Sequence, residues 1–305
     1  MFRYQKRLVP KAFGLQNNGV LCYLNSLTQS LISLPKFTSE IARYNLPITR
    51  EIQSITNGTK NDTVGIMQLL TPTIQGGRQE DVQECFQVIL SLFGGNTVRA
   101  NTVEECFHIR YETAIKCSCG YSRKLNNEPP EVWLDFPYYV HTVKEFEALI
   151  RYSESPLPGY KCDKCSRVGS SKSSRTLKRL SEIIVVVFKN KYIEKNVQYF
   201  PQTMNFNSIN GVLSYRAVAK VDHSGTQGGG HYTATVLRQV DDPERLENFK
   251  KIYKSTTDQA VKDRCFTELV NMAEGLNEFQ VNDNYVSYHN IIPEPETYMV
   301  FYHLV

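Results

Sequence analysis

Three positions far apart in the chain, Cys22, His231 and the pair Asn282-Asp283, supply a thiol, an imidazole and an orienting group. A cysteine becomes a nucleophile when its thiolate is stabilised and a base lies within hydrogen-bond reach. Cys22 stands where the irregular Gly14-Leu15-Gln16-Asn17-Asn18-Gly19 segment gives way to Leu24, Leu27, Leu31 and Leu34 at helical spacing, with Pro35 as a stop. That places it at a helix N-terminus, where the dipole and free N–H groups favour a thiolate. Asn17 and Asn18 bring amide donors just upstream, and Gly19 allows a tight backbone approach. Taken alone, Cys22 reads more readily as a small buried hydrophobe, the common fate of free cysteine.

His231 follows Gly228-Gly229-Gly230 at the start of an alternating strand, an open approach on which a substrate backbone could lie. A surface hairpin closed by a half-exposed histidine gives the same pattern, and His223 in Asp222-His223-Ser224-Gly225 is a rival base. The order Cys…His…Asn/Asp is that of papain-like peptidases, in which the third residue orients the imidazole. A second constellation is Cys117-Ser118-Cys119 with Cys162-Asp163-Lys164-Cys165. Zinc ribbons use two such knuckles; a metal-free knuckle or a disulfide are the other readings, and the one-residue gap in the first pair is unusual. If metal binds, Cys117, Cys119, Cys162 and Cys165 are the set. Four thiolates leave no open position for catalysis, so the site is a fold staple.

The elements that must carry these groups alternate in type. Val64 to Leu70 reads as a short helix, and Val82, Phe86, Ile89 and Leu90 form one face of another. The segment Gly76-Gly77-Arg78-Gln79-Glu80-Asp81 leads into it, its acids set where the helix dipole favours them. The stretch from Thr38 to Thr63 is polar and carries no readable pattern. From Thr102 to Val140 short strands are expected at 106–111, 114–117 and 132–136, then a helix at 143–153. Leu157 to Tyr160 and Ser170 to Ser174 carry loop signals. The β-branched run Ile183 to Phe188 reads as a buried strand, and Gly211 to Val221 and His231 to Leu237 as strands flanking a glycine-rich turn. Asp241 to Gly275 is charged, with Val261, Cys265, Leu269 and Met272 at helical spacing: a helical insertion. Strands around Val281 and at 298–304 close the chain.

The 305 residues are 41% hydrophobic and 22% charged, a globular balance sufficient for one large or two medium domains. No apolar run reaches the roughly 18 residues of a membrane span. The basic N-terminus has no apolar h-region, so a signal peptide is not expected. A net charge of +4 does not call for a nucleic-acid or membrane partner. Eight cysteines, four of them in close pairs, suggest metal before disulfide in a reducing compartment.

Together these pieces resemble one family, the ubiquitin-specific proteases. Gly14-Leu15-x-Asn17-x-Gly19-x-x-Cys22-Tyr23-x-Asn25-Ser26-x-x-Gln29 resembles its cysteine box. Tyr215-x-Ala217-Val218, His223-Ser224-Gly225 and Gly230-His231-Tyr232-Thr233-Ala234 resemble the histidine box. Val281-Asn282-Asp283-x-x-Val286 resembles the third-residue box, and Tyr298-x-x-Phe301-Tyr302 the closing strand. Arg78 to Glu84 resembles the Gln-Gln-Asp helix, and Leu180 to Lys189 a core strand. The resemblance implies an α+β, papain-like cysteine peptidase: a helical thumb at about 13–100, β fingers at about 103–190, and a β-rich palm at about 131–140 and 180–305, with an insertion at about 241–275.

Cys22 is then the nucleophile, His231 the base and later acid, Asn282 the orienter and Asn17 an oxyanion donor. Asp283 is the fallback third residue or an oxyanion-side assistant. Asp81 is implied to pair with arginines of a ubiquitin tail, while His223, Ser224, Gly225 and Tyr232 line its channel. The implied reaction is thiol-dependent hydrolysis after the C-terminal glycine of ubiquitin, with no catalytic cofactor and a structural zinc. Expected partners are ubiquitin or ubiquitinated proteins, met by a monomer without nucleic acid or membrane, in the cytoplasm and/or nucleus. The alternatives are an inactive ubiquitin-binding scaffold, a protease for another ubiquitin-like modifier, and, more remotely, a nucleic-acid binder using Lys172, Arg175, Lys178 and Arg179. Departures from the family pattern are Glu80 for a second glutamine, Val20-Leu21, the short first knuckle and the insertion. Asn25, Gln29 and Gln83 read first as structural hydrogen-bonders.

Overall fold

Helices come first. α1 (Cys22–Leu31), α2 (Pro35–Ile41), α3 (Pro47–Thr56), α4 (Val64–Leu70) and α5 (Val82–Ser91) precede a single turn, α6 (Thr102–Glu105). The computed structural model describes residues 10–305 apart from 18, 75–77, 95–101, 127, 137–139, 189–198, 227–228, 240–242 and 274. Asn18, Gly76, Gly77, Lys189, Gly228 and Asp241, named above, lie outside the described residues, as does the side chain of Met272. The stretch without a readable pattern holds α3 and most of α2. Each begins with proline in its first turn, where the missing N–H has no intrahelical partner to lose. Pro35 therefore opens a helix as well as closing one. In α3 the core face is only Ile48, Ile52 and Ile55 with Thr49, a stripe too sparse to read by eye.

α1 is buried on every side although half its residues are polar. Ser26, Ser30 and Ser33 donate to carbonyls three or four residues back, and Gln29 Nε2 donates to Phe13 O at 2.9 Å. At its C-terminal end a fully buried Arg238 donates to Gln29 O at 2.8 Å, to Gln29 Oε1 and to Ser33 Oγ. A guanidinium suits the last turn of a helix, where unpaired carbonyls and the dipole favour positive charge.

The strands follow. β1 (Arg110–Cys117), β2 (Ser122–Leu125), β4 (Tyr152–Leu157) and β5 (Ser171–Arg179) form a small antiparallel sheet ordered β2-β1-β5-β4. β3 (Leu134–Asp135), β6 (Ile183–Val187), β7 (Thr203–Ser208), β8 (Gly211–Thr226), β9 (Gly229–Gln239), β10 (Leu276–Asn282), β11 (Tyr285–Tyr288) and β12 (Thr297–Leu304) form a large one. Its order is β11-β10-β9-β8-β12-β6-β3, with β7 beside β8. The apolar run of β6 is explained by burial on both faces. Ile183, Val185 and Val187 pack with the helical layer, while Ile184 and Val186 pack with Phe146 and Ile150 of α7 (Val143–Arg151). The result is a mixed α+β, papain-like fold.

Several expected elements change. Residues 106–109 leave α6 as a turn and bridge, and the two strands expected at 106–117 are the single β1. The segment 132–136 contracts to the two residues of β3. Ser170 to Ser174, expected as loop, runs into β5, held between β1 and β4 by its backbone ladder rather than by apolar side chains. The insertion is helical: α8 (Pro243–Ser255) and α9 (Gln259–Ala273) pack through Tyr253 and Phe266, whose ring centroids are 6.5 Å apart.

Candidate active site

The nucleophile candidate begins α1. Cys22 is 4% exposed, and no side chain caps the helix at Leu21, which leaves first-turn N–H groups to the surroundings of the sulfur. Gly19, at φ 148°, makes the bend that brings the preceding loop back toward the helix. Within that loop Asn17 Oδ1 accepts from Leu21 N at 3.1 Å, fixing the amide against the helix entrance.

β9 presents His231, and β10 presents Asn282 beside it. His231 Nε2 lies 2.7 Å from Asn282 Oδ1 and 3.9 Å from the Asp283 carboxylate. The rival His223 is 3% exposed and rests on Tyr232, ring centroids 4.3 Å apart, so it is packing inside the sheet end while His231 keeps solvent access. The glycines earn their place by contact rather than by openness. A Cβ on Gly230 would lie 2.3 Å from Ser224 O and 2.6 Å from His223 Nε2, and one on Gly225 would lie 2.5 Å from Gly230 Cα. Ser224 pairs with His231 and Gly225 with Gly230 in the ladder, so the two strands close tightly over His223.

Asp81 caps α5, accepting from Gln83 N at 2.7 Å, and its other oxygen accepts from Tyr298 OH at 2.7 Å. Tyr298 lies 6.4 Å, centroid to centroid, from Tyr232. Asp81, Tyr298, Tyr232 and His223 thus form one continuous wall from the helical layer to β8; Tyr298 is the member with no role in the sequence reading. Glu80 is largely buried and pairs with Arg78 at 2.8 Å.

Asp283 ties the parts together. It sits in the two-residue turn between β10 and β11 at φ 51°, a region that Asp tolerates better than most residues. One carboxylate oxygen accepts from Asn17 Nδ2 at 3.0 Å, the other from Asn25 Nδ2 at 2.9 Å. Its carbonyl accepts from Leu15 N at 2.8 Å, and a Cβ on Gly14 would meet the Asn284 backbone at 2.5 Å. Asn25 completes its amide by donating to Gln16 O and accepting from Thr63 Oγ1.

Gln79 carried no role in the sequence reading, and it sits at the centre. Its Nε2 is 3.3 Å from Cys22 Sγ and also donates to Gly230 O, while its Oε1 accepts from Gly230 N at 2.6 Å. The signal was its position two residues before Asp81 in a recognised box.

The four cysteines of the small sheet converge. Their Sγ atoms all lie within 4.8 Å of one another, with Cys117 to Cys165 at 3.7 Å and Cys119 to Cys162 at 3.8 Å. Zinc–thiolate bonds of about 2.3 Å in a tetrahedron give sulfur separations of about 3.8 Å, so the donor set fits structural zinc. All eight cysteines are free, which removes the disulfide reading. The short knuckle works because Gly120 (φ 86°) turns the β1–β2 hairpin directly after Cys119. Hydrogen bonds from the Cys119 backbone and then the Ser170 hydroxyl draw the Cys117 thiol down to about 5. The metal would join the β1–β2 hairpin to the knuckle between β4 and β5 and hold no position for substrate.

The ubiquitin carboxyl-terminal hydrolase family profile matches residues 13–302. Ubiquitin carboxyl-terminal hydrolase 47 of Drosophila melanogaster is 23% identical, over 67% of this chain and 15% of the relative. Ubiquitin carboxyl-terminal hydrolase 25 of Arabidopsis thaliana is 24% identical, over 76% of this chain and 43% of the relative. The chain therefore spans less than half the length of either. Among solved structures, the SAGA DUB module Ubp8/Sgf11/Sus1/Sgf73 bound to monoubiquitin matches all of this chain and 71% of that one, with TM-score 0.68 at 18% identity. The same module bound to ubiquitin aldehyde matches with TM-score 0.65 at 17% identity. With the profile covering nearly its whole length and the fold agreeing, the chain belongs to the ubiquitin carboxyl-terminal hydrolase family, as a catalytic domain of the ubiquitin-specific protease type.

Proposed function

We propose that this chain is a thiol-dependent deubiquitinase, hydrolysing the peptide or isopeptide bond after the C-terminal glycine of ubiquitin. One observation carries the reading. A single atom, Gln79 Nε2, is within hydrogen-bond distance of both Cys22 Sγ and the Gly230 carbonyl, so the strand end bearing His231 lies across the nucleophile. Asn282 holds that imidazole from behind.

The chemistry follows from these positions. His231 takes the Cys22 proton, the thiolate attacks the glycine carbonyl, and the C–N bond breaks as His231 returns the proton to the leaving amine. Water then hydrolyses the thioester with His231 as base. Asn17 Nδ2 has two hydrogens; Asp283 takes one, and the other is the oxyanion donor, a type of contact worth about 2.7–4 kcal/mol to the transition state. An amide orienter suits a Cys–His pair, which supplies its own charge. The wall from Asp81 to His223, with Ser224 and Gly225 at its rim, is the tail channel, and the remaining Asp81 acceptor capacity meets the tail arginines. The thumb is the helical layer of about 13–100, the fingers about 103–190, and the palm the large sheet. Ubiquitin or ubiquitinated proteins are the partners, met by a single chain in a reducing compartment, cytoplasmic and/or nuclear. No helix among the described residues is long and apolar enough to cross a membrane.

Release of a fluorophore from the ubiquitin C-terminus is the test. C22A abolishes it; turnover retained in that variant overturns the assignment. A ubiquitin probe with a C-terminal electrophile labels Cys22 in the wild type, whereas a binding scaffold would hold the probe without reacting.

A further inference from the structure

We infer that Gln79 belongs to the reaction centre as a resident surrogate for the substrate backbone: in the free enzyme its carboxamide occupies the place of the terminal peptide group, and the tail must displace it. The inference rests on the reading that Cys22 attacks a C-terminal glycine carbonyl.

The contacts are those an incoming extended chain would make. In an antiparallel pair, facing residues exchange both N–H···O bonds. Gln79 Oε1 accepts from Gly230 N, and Nε2 donates to Gly230 O, so one side-chain amide satisfies both backbone groups of a strand residue, as in strand addition. Gly230 has no side chain, and a Cβ there would collide with Ser224 O and His223 Nε2, which keeps its backbone open to such pairing. The same Nε2 lies 3.3 Å from Cys22 Sγ. A scissile carbonyl must approach the sulfur to about 3–3.5 Å to react, so substrate and the Gln79 amide compete for one volume.

The flanking residues make displacement a side-chain event. Arg78 and Glu80 pair with each other, and Asp81 is fixed by its helix cap and by Tyr298. Rotation about the Gln79 side chain clears the cleft without moving either layer. An extended backbone replaces the two Gly230 bonds that Gln79 gives up, so opening costs little when the tail enters. A small electrophile replaces neither. Gln79 therefore discriminates in favour of ligands that present a backbone.

The experiment uses the whole chain and no ubiquitin. Cys22 is alkylated with iodoacetamide, the thiolate displacing iodide, and modification at Cys22 is followed by peptide mass mapping with C22A as background. Q79M preserves length without the amide, keeping only a weakly accepting thioether, and Q79A removes the side chain. Both are expected to alkylate about tenfold faster than the wild type, equivalent to about 1.4 kcal/mol of occlusion. Unchanged or slower alkylation overturns the inference, since a Gln79 that merely stabilised the thiolate would slow the reaction when removed. Hydrogen exchange at the Gly230 amide is the second readout: protection in the wild type and its loss in Q79M are expected, and equally fast exchange in both overturns the inference. If Q79M alkylates faster while the wild type never turns over ubiquitin substrates, occlusion stands and the substrate reading falls. Robust turnover with unchanged alkylation gives the reverse.

Discussion

Asp283 is the residue whose replacement separates electrostatics from backbone strain at this site. It accepts from Asn17 and Asn25 at 3.0 and 2.9 Å while holding φ 51°. Hydrogen bonds to a charged acceptor contribute about 1.5–3 kcal/mol each, and an orphaned buried donor costs about 1–3 kcal/mol. Asn25 is 3% exposed, and its second amide hydrogen is already committed to Gln16 O, so the donor freed by D283A has nowhere to turn. A Cβ without a polar side chain in the left-handed region adds about 1 kcal/mol. D283A is therefore expected to cost about 4–7 kcal/mol of stability. D283G loses both acceptors but relieves the strain, for about 3–6 kcal/mol. D283N keeps the shape, the tolerance of positive φ and one acceptor for Asn25, for about 1–2 kcal/mol. Urea denaturation followed by the fluorescence of Trp133, the one tryptophan of the chain, reads all three, because that ring packs beside Phe86 in the core between the helices and the large sheet. Equal costs for D283N and D283A, or a glycine variant that is the least stable of the three, would show that Asp283 does not act through its two acceptors and its positive φ.

Two further outcomes are expected. His303 Nδ1 lies 2.7 Å from Leu304 O and Nε2 accepts from Lys36 N at 3.2 Å, a pattern only the neutral Nδ1–H tautomer satisfies, and burial holds its pKa below the usual 6.5. The unfolded chain then binds a proton that the folded one resists, so stability present above pH 6.5 is lost as pH falls below it, by at most about 1.4 kcal/mol per unit, and denaturation midpoints of H303Q are expected to fall less steeply over that range. At the cysteine cluster, elemental analysis is expected to find about one zinc per chain, absent in C119S; hydrogen exchange then rises in β1, β2 and β5 while α1 and β9 keep their protection.

The members of the candidate site are legible because their chemistry depends on type and local pattern: a cysteine at a helix start, a histidine after glycines, an amide at a strand end. The knuckles were legible from spacing, and β6 from its unbroken apolar run. What stayed hidden is tertiary. β5 reads as loop because its serines are held by ladders on both sides and need no apolar face. α3 exposes so much of its surface that three isoleucines are its whole signature. Gln79 lies in a recognised box, yet nothing local says that its amide will find the backbone of a residue 151 positions away. Tyr298 joins Asp81 to Tyr232 only because β12 and α5 meet in space.

These hidden contacts share a direction. Cys22 and His231 stand on different layers, so their spacing depends on how the helices are fixed to the large sheet. α1 is tied at both ends: Asp283 holds its first turn through Asn25 and the preceding loop through Asn17, and Arg238 holds its last turn through Gln29 and the following Ser33. Both ties come from that sheet: Asp283 from the turn directly after Asn282, and Arg238 from the far end of β9, the strand whose beginning carries His231. A translation of α1 along its axis therefore stretches hydrogen bonds at one end or the other, a directional penalty added to that of disturbing the close-packed apolar contacts between the layers. The register of sulfur against imidazole is thus set by polar ties, Asp283 and Arg238, which no hydrophobic periodicity requires.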